Sequence, residues 1–287
     1  MKKNIETFIA CDAEYDESHI VLFGAPFDST TSYRPGARFG SAAIRHESYG
    51  IETYSPYSDM DLEDVSIFDS GDIELPMGSS EMALDEISRR TANILSDGKL
   101  PLMLGGEHLV TLGAFREVQK KYPDVHIIHF DAHADLRDDY LGVRLSHACV
   151  IRRCHDIIGD GKIHQFGIRS GEKTEWVFAR GGHTDFHPFS LEDVRSVAEN
   201  IGPAAPVYFT IDLDVLDPSE FPGTGTPEAG GVTFRELREA VALVCQKLNV
   251  VGCDVCELAP TLDVSGVSTA AACKLLRELI LELAMPE

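Results

Sequence analysis

The chain has 287 residues, of which 44% are hydrophobic and 25% charged, a composition typical of a folded protein rather than a disordered one. Its 47 acidic and 25 basic side chains give a formal charge of −22, which argues against nucleic acid and anionic membranes as partners because both would repel the surface. Seven cysteines without a regular spacing, no leader-like apolar run after Met1 and no run of 18 apolar residues predict reduced thiols, a cytoplasmic location and no membrane span.

Short apolar runs alternate with helix-like segments along the whole chain. Seven runs predict strands, at residues 20–25, 65–69, 102–104, 126–130, 163–168, 207–211 and 250–255. Most are continuous in Val, Ile, Leu and Phe, as expected for strands that are covered on both faces.

Apolar residues at helical spacing predict four helices. The first covers residues 83–95 and ends at Gly98, the second lies around 112–118, the third covers 237–248 and the last covers about 268–284. Thr233 followed by Glu236 predicts a capping box before the third helix. Residues 49–61 lack periodicity and predict a surface excursion. The alternation of strands and helices predicts an α/β fold with a mainly parallel sheet, and we expect a single domain over residues 1–287.

Carboxylate and imidazole side chains follow four of the predicted strands directly. The segments are Gly105-Gly-Glu-His108, Asp131-Ala-His-Ala-Asp135, Asp212-Leu-Asp-Val-Leu-Asp-Pro218 and Cys256-Glu-Leu-Ala-Pro260. Ligands of open α/β sheets bind outside the carboxyl ends of the strands. We therefore expect these four segments to meet at one site.

Six of these side chains form a set that suits metal ions: His108, Asp131, His133, Asp135, Asp212 and Asp214. Grouped without cations, the four carboxylates would repel one another and would be costly to bury. The set contains no cysteine, which argues against a structural zinc site, and carboxylates with imidazoles suit Mn²⁺, as well as Fe²⁺, Co²⁺ or Ni²⁺. Two ions about 3.5–4 Å apart form the arrangement that uses bridging carboxylates.

The three metal segments resemble the signature motifs of the ureohydrolases, the arginase and agmatinase family. The resemblance continues through residues 32–40, 166–171 and 223–231, so it spans nearly the whole chain. It implies a three-layer α/β/α sandwich with a mainly parallel central sheet. It also implies two Mn²⁺ per subunit, although other divalent ions would suit the same ligands.

The resemblance also implies a role for each candidate residue. His108 and Asp135 would bind one ion, His133 and Asp214 the other, and Asp131 and Asp212 would bridge both, with a hydroxide between the ions as the nucleophile. Glu257 matches the glutamate that pairs with the substrate guanidinium, His147 matches the histidine that shuttles protons, and Thr226 matches a threonine that lines the substrate pocket.

The loop between the second metal segment and His147 resembles the agmatinase branch. It lacks the Ser-Gly-Asn-x-His pattern with which arginases hold the carboxylate end of their amino acid. The resemblance thus implies hydrolysis of agmatine to putrescine and urea, a step of polyamine biosynthesis, in a homotrimer or homohexamer. The closest alternative is a guanidinobutyrase or another guanidino-acid ureohydrolase, followed by an arginase.

Three other classes are less consistent with the residues. His147 and Glu257 would not be needed in a non-catalytic metal-binding relative. The acidic composition argues against a dinuclear phosphoesterase, and the six-ligand set argues against a single-zinc amidohydrolase. Within the predicted strands, we expect His126 and His129 to be packed core residues and Cys253 and Cys256 to face opposite sides.

Overall fold

Strands alternate with helices along the chain, as the apolar pattern predicts. The computed structural model describes residues 6–284, so that residues 1–5 and 285–287 of the expected single domain lie outside the described residues. The strands are β1 (Ile20–Gly24), β2 (Tyr54–Ser55), β3 (Met60–Asp61), β4 (Ile67–Asp72), β5 (Leu100–Leu104), β6 (His126–Phe130), β7 (Ile163–Phe166), β8 (Asp185–His187), β9 (Pro206–Asp212) and β10 (Asn249–Cys256). The α-helices are α1 (Gly40–Glu47), α2 (Ser80–Ser96), α3 (Val110–Lys121), α4 (Val150–Ile158), α5 (Lys173–Phe178), α6 (Val194–Ile201), α7 (Phe234–Lys247) and α8 (Val267–Ala284).

Eight of the strands form one sheet in the order β4-β1-β5-β10-β9-β6-β7-β8, and every neighbouring pair in it is parallel. The carboxyl ends of all eight strands therefore lie at one edge of the sheet. The short strands β2 and β3 form a separate antiparallel hairpin.

Successive side chains of the central strands point into two apolar layers. Leu22 and Phe209 pack on the side of α1, α6, α7 and α8, whereas Phe23 and Tyr208 pack on the side of α2, α3 and α4. This arrangement confirms the three-layer α/β/α sandwich. Cys253 lies in the first layer and Cys256 in the second, which confirms that these two thiols face opposite sides of the sheet.

Capping residues determine where two of the predicted helices begin. The amide of Glu236 donates to the hydroxyl of Thr233 and the carboxylate of Glu236 accepts from the amide of Thr233, which confirms the capping box before α7. The hydroxyl of Ser79 accepts from the amide of Met82 at the start of α2. No helix among residues 6–284 is both long enough and apolar enough to cross a membrane.

The sequence pattern did not predict α1, α4, α5, α6, β8 or the hairpin. The expectation of a surface excursion at residues 49–61 is only partly right. Tyr54 and Tyr57 are exposed, but Ser55 is fully buried and its hydroxyl donates to Glu278 of α8 over 2.6 Å. The hairpin is therefore anchored to the body of the protein by a polar contact that leaves no apolar periodicity in the sequence.

Candidate active site

The segments that follow β5, β6, β9 and β10 meet at the carboxyl edge of the sheet, as predicted. They border a cavity of about 610 Å³. Eight of the nine predicted site residues line it: His108, His133, Asp135, His147, Asp212, Asp214, Thr226 and Glu257. The ninth, Asp131, is fully buried directly beneath them and contacts His108 and His133.

The two oxygens of Asp131 face two different imidazoles. Oδ2 lies 3.0 Å from Nδ1 of His108, and Oδ1 lies 3.5 Å from Nδ1 of His133. Asp135 and Asp212 approach the same nitrogen of His108, at 3.0 Å and 3.5 Å. Asp214 lies 3.0 Å from Nδ1 of His133. The structure thus brings all six side chains together as two adjoining groups that share Asp131.

A hydrogen-bond chain determines which nitrogen of His108 carries the proton. The hydroxyl of Thr210 on β9 donates to Asp254 of β10 over 2.7 Å, so at 2.8 Å it accepts from Nε2 of His108. The lone pair of Nδ1 then points at the oxygens of Asp131 and Asp135. Ionised carboxylates accept hydrogen bonds but donate none, so Nδ1 either takes up a second proton or binds a metal ion. Burial opposes the second proton, but the hydrogen bonds to Asp131 and Asp135 raise the pKa of His108 well above its ordinary value. The donor set fits divalent metal ions.

His129 is a core residue, as the sequence predicted, and it also contacts the site. It is fully buried, as expected, but its Nε2 lies 2.8 Å from Oδ2 of Asp131. The amide of Gln165 donates to Nδ1 of His129 over 3.1 Å, and its carbonyl accepts from Thr184. Nε2 of His129 therefore carries the proton and donates it to Asp131. Partners of this kind orient carboxylates that bind metals.

Two residues near the pocket hold His147 in place. The hydroxyl of Thr30 donates to Glu107 over 2.5 Å, accepts from the amide of His147 at 3.1 Å and lies 3.4 Å from its Nδ1. Glu107 is fully buried and also accepts from Thr31, and burial raises its pKa to about 7. Burial and the charge of His133 lower the pKa of His147 to about 4, so its imidazole is neutral at neutral pH.

Glu257 reaches the pocket through a left-handed backbone conformation with φ of 67°. Its amide donates to the carbonyl of Gly106, and its Oε1 accepts from the amide of His108, each over 2.9 Å. Burial and the charge of Asp214 raise its pKa well above the ordinary value. Asp135 adopts the same conformation, with φ of 54°. Non-glycine residues in this region cost about 1–3 kcal/mol each and concentrate at functional sites.

Arg169 fixes the loops on one side of the cavity. Its guanidinium donates to five backbone carbonyls, those of Gly167, Asp214, Val215, Leu216 and Glu228. These bonds join the turn after β9 to the loop that carries Thr226, whose hydroxyl lies 3.4 Å from Oδ2 of Asp214. Arg169 stands in a segment that matches a family motif, but the sequence pattern assigned it no role.

Comparisons with known proteins agree with one another over most of the chain. A family model described as the arginase family matches residues 18–282. The agmatinase of Bacillus anthracis is 48% identical over 278 residues, which are 96% of this chain and 96% of that protein. A crystal structure from Clostridium difficile with 52% identity covers 94% of this chain and 99% of that one, with a TM-score of 0.92. The agmatine ureohydrolase of Thermoplasma volcanium is 32% identical, covers 98% and 94%, and has a TM-score of 0.88.

Proposed function

The chain belongs to the arginase family, and from this membership we propose that it hydrolyses agmatine with water to putrescine and urea. Its place in the agmatinase branch of the ureohydrolases makes it a hydrolase that acts on guanidino compounds. The observation that carries the proposal is one cavity lined by the paired carboxylate and imidazole groups, by Glu257 and by His147. Guanidinium hydrolysis needs a metal-activated water, an anion to hold the cation and a group to move a proton.

The charged groups of the outer pocket favour a substrate with a cationic tail. Arg137 lies 3.2 Å from Glu172 and 3.4 Å from Glu175, so its charge is already balanced. Arg34 donates to the backbone carbonyls of Thr224 and Gly225. Both arginines among the residues that line the cavity are thus engaged, which disfavours them as partners of a substrate carboxylate. Agmatine carries a primary amine where guanidino acids carry a carboxylate.

The proposed metal ligands are His108 and Asp135 for one ion, His133 and Asp214 for the other, and Asp131 and Asp212 for both. We propose Mn²⁺ as the ion because carboxylates outnumber imidazoles in this set. Bound divalent ions supply Lewis-acid charge and a water whose pKa falls toward neutrality.

The remaining steps fall to side chains of this chain. Glu257 would pair with the substrate guanidinium and hold the guanidinium carbon over the six metal-ligand side chains. Two parallel hydrogen bonds between a planar guanidinium and a carboxylate fix the orientation of the substrate as well as its position. Neutral His147 would accept the proton that the attacking water loses and deliver it to the leaving amine. Thr226 would line the pocket beside Asp214. The homo-oligomer, the cytoplasmic location, the role in polyamine biosynthesis and the single domain over residues 1–287 stay predictions.

The proposal is tested by urea release from agmatine, arginine and 4-guanidinobutyrate, measured side by side with the Mn²⁺-loaded protein. We expect agmatine to be hydrolysed far faster than the other two. Equal rates on agmatine and arginine, or faster release from guanidinobutyrate, would refute the substrate assignment while leaving the guanidino class intact.

The metal assignment has a separate test. Asp131→Asn and Asp212→Asn each remove one charge from the shared ligand positions without changing side-chain size. We expect both variants to lose bound Mn²⁺, measured by elemental analysis after dialysis. Glu239→Gln is the control, because Glu239 is an exposed acid on α7 and the change again removes one charge without changing side-chain size. Full metal content in both aspartate variants would contradict the ligand set.

A further inference from the structure

A second cluster of metal-binding groups lies outside the cavity, formed by His155, Asp160 and His183. One ligand atom from each residue lies within 4.8 Å of the other two. Nε2 of His155 and Nδ1 of His183 both approach the same oxygen of Asp160, at 2.7 Å and 2.8 Å. We propose that these three residues form a peripheral site for a divalent transition metal ion, Zn²⁺ in particular.

The cluster is far from the candidate active site. Asp160 lies between α4 and the amino end of β7, and His183 lies two residues before β8, so both are at the opposite edge of the sheet from the cavity. His147 stands just before α4, and His155 follows it by eight residues, about 12 Å at the helical rise of 1.5 Å per residue. An ion here would therefore bind separately from those at the cavity.

Aromatic contacts hold the two imidazoles in their convergent orientation. The ring of Phe178 stacks on His183 at 4.2 Å between centroids and meets His155 edge-on at 5.0 Å. Arg152 lies over the same phenylalanine and pairs with Asp156, which partly balances its charge. Ligands that are ordered before an ion arrives lose less conformational entropy when they bind it.

The loops around the cluster leave room for an ion to enter. Zn–N and Zn–O bonds of about 2.0–2.1 Å in a tetrahedral site separate neighbouring ligand atoms by about 3.3 Å, so the imidazole and carboxylate atoms must move apart by about half an ångström. The side chain of Asp160 is 62% exposed and lies between Gly159 and Gly161, both at positive φ. His155 is 14% exposed and His183 is 41% exposed, so solvent reaches the site.

The composition of the cluster selects the class of ion. Two imidazoles with one carboxylate suit Zn²⁺, Co²⁺, Ni²⁺ or Cu²⁺ better than Mg²⁺ or Ca²⁺, which prefer oxygen ligands. A water molecule would complete four-coordinate zinc. The ion would also join the carboxyl-terminal end of α4 to the segment that leads into β8, and a cation at a helix carboxyl terminus is electrostatically favourable. The expected effect of the ion is to stabilise the contact between these two segments, and it has no part in the reaction at the cavity.

The site is tested by counting Zn²⁺ bound per chain in the full-length protein and in His155→Ala/His183→Ala. Both proteins are loaded with Mn²⁺ and then dialysed against the same free Zn²⁺ concentration. We expect the double variant to bind one Zn²⁺ fewer per chain and to lose the rise in unfolding temperature that Zn²⁺ gives the native chain. The matched control is His46→Ala, because His46 is an exposed histidine that pairs with a carboxylate, that of Glu6, without a second imidazole in the pair.

An unchanged Zn²⁺ content in a folded double variant would overturn the proposal and leave the cluster as a set of hydrogen bonds to Asp160. If the double variant does not fold, Asp160→Asn replaces it, since that side chain is exposed and keeps its shape. The same loss of one Zn²⁺ is then expected, and retention of the ion would refute the site.

Discussion

Thr210→Val isolates the hydrogen bond that prepares His108 to bind a metal ion. Valine keeps the shape of threonine but has no hydroxyl. The change removes the 2.8 Å contact with Nε2 of His108 and the 2.7 Å bond to Asp254. The imidazole then loses the acceptor that holds its proton on Nε2 and its lone pair on Nδ1, the nitrogen that faces Asp131 and Asp135.

The size of the effect follows from the kind of bond that is lost. When Nδ1 binds a cation, the bond from Nε2–H to Thr210 becomes charge-assisted, and such bonds contribute about 1.5–3 kcal/mol. At about 1.4 kcal/mol for each tenfold change, this corresponds to about a 10- to 150-fold loss of affinity. Removing a group that orients a metal-bound histidine in other proteins costs about 10–100-fold. We therefore expect metal affinity to fall by at least about tenfold.

The assay titrates Mn²⁺ into the metal-free protein and follows both bound Mn²⁺ and restored urea release from agmatine. Thr91→Val is the matched control, because the Thr91 hydroxyl is buried on α2 and has no hydrogen-bond partner among residues 6–284. We expect the control to bind Mn²⁺ as the native chain does. A folded Thr210→Val protein whose Mn²⁺ affinity lies within about twofold of the native value would refute the argument.

Three further variants test other parts of the site. Glu257→Gln keeps the size of the side chain but removes the charge opposite the guanidinium. The kcat/KM for agmatine should therefore fall by at least about a hundredfold in steady-state assays, and a smaller loss would argue against direct pairing. Thr30→Val removes the hydroxyl that contacts His147, and we expect kcat to fall about tenfold while KM stays nearly constant. A change in KM alone would contradict that positioning role. Arg169→Met removes the hydrogen bonds to five carbonyls, including that of Asp214. It should lower the free energy of unfolding, measured by urea denaturation, by about 3 kcal/mol, and Arg169→Lys should lower it by a smaller amount.

The sequence predicts best those strands and helices whose own apolar residues and caps are enough to specify them. The apolar run of β9 is buried along nearly its whole length, and α7 has both a capping box and a long apolar face. In contrast, β8 is a three-residue edge strand that pairs only with β7, and α6 has eight residues. Helices this short are marginal on their own and form because tertiary contacts stabilise them. A local pattern therefore gives little indication of such elements.

The sequence predicted which side chains meet at the site but not what holds them. The rule that strand ends converge places Asp131, Asp212 and Glu257 together without any knowledge of distances. Thr210, Asp254 and His129 were not predicted as partners because each lies inside a buried strand. Their polar side chains were a signal, because polar groups in the interior of buried strands must find hydrogen-bond partners.

The grouping of Asp131, His133 and Asp135 does not come from strand geometry alone. Alternation along an extended chain would place all three on one face, but β6 ends at Phe130 and only His133 keeps a strand-like pairing, with Ser170. Asp135 reaches the same site through its left-handed turn, which the bond from the amide of Arg152 to its carbonyl supports over 3.0 Å. An unfavourable backbone conformation persists only where surrounding contacts determine it. At Asp135 and Glu257, the left-handed backbone accompanies the turns that bring these two carboxylates to the cavity.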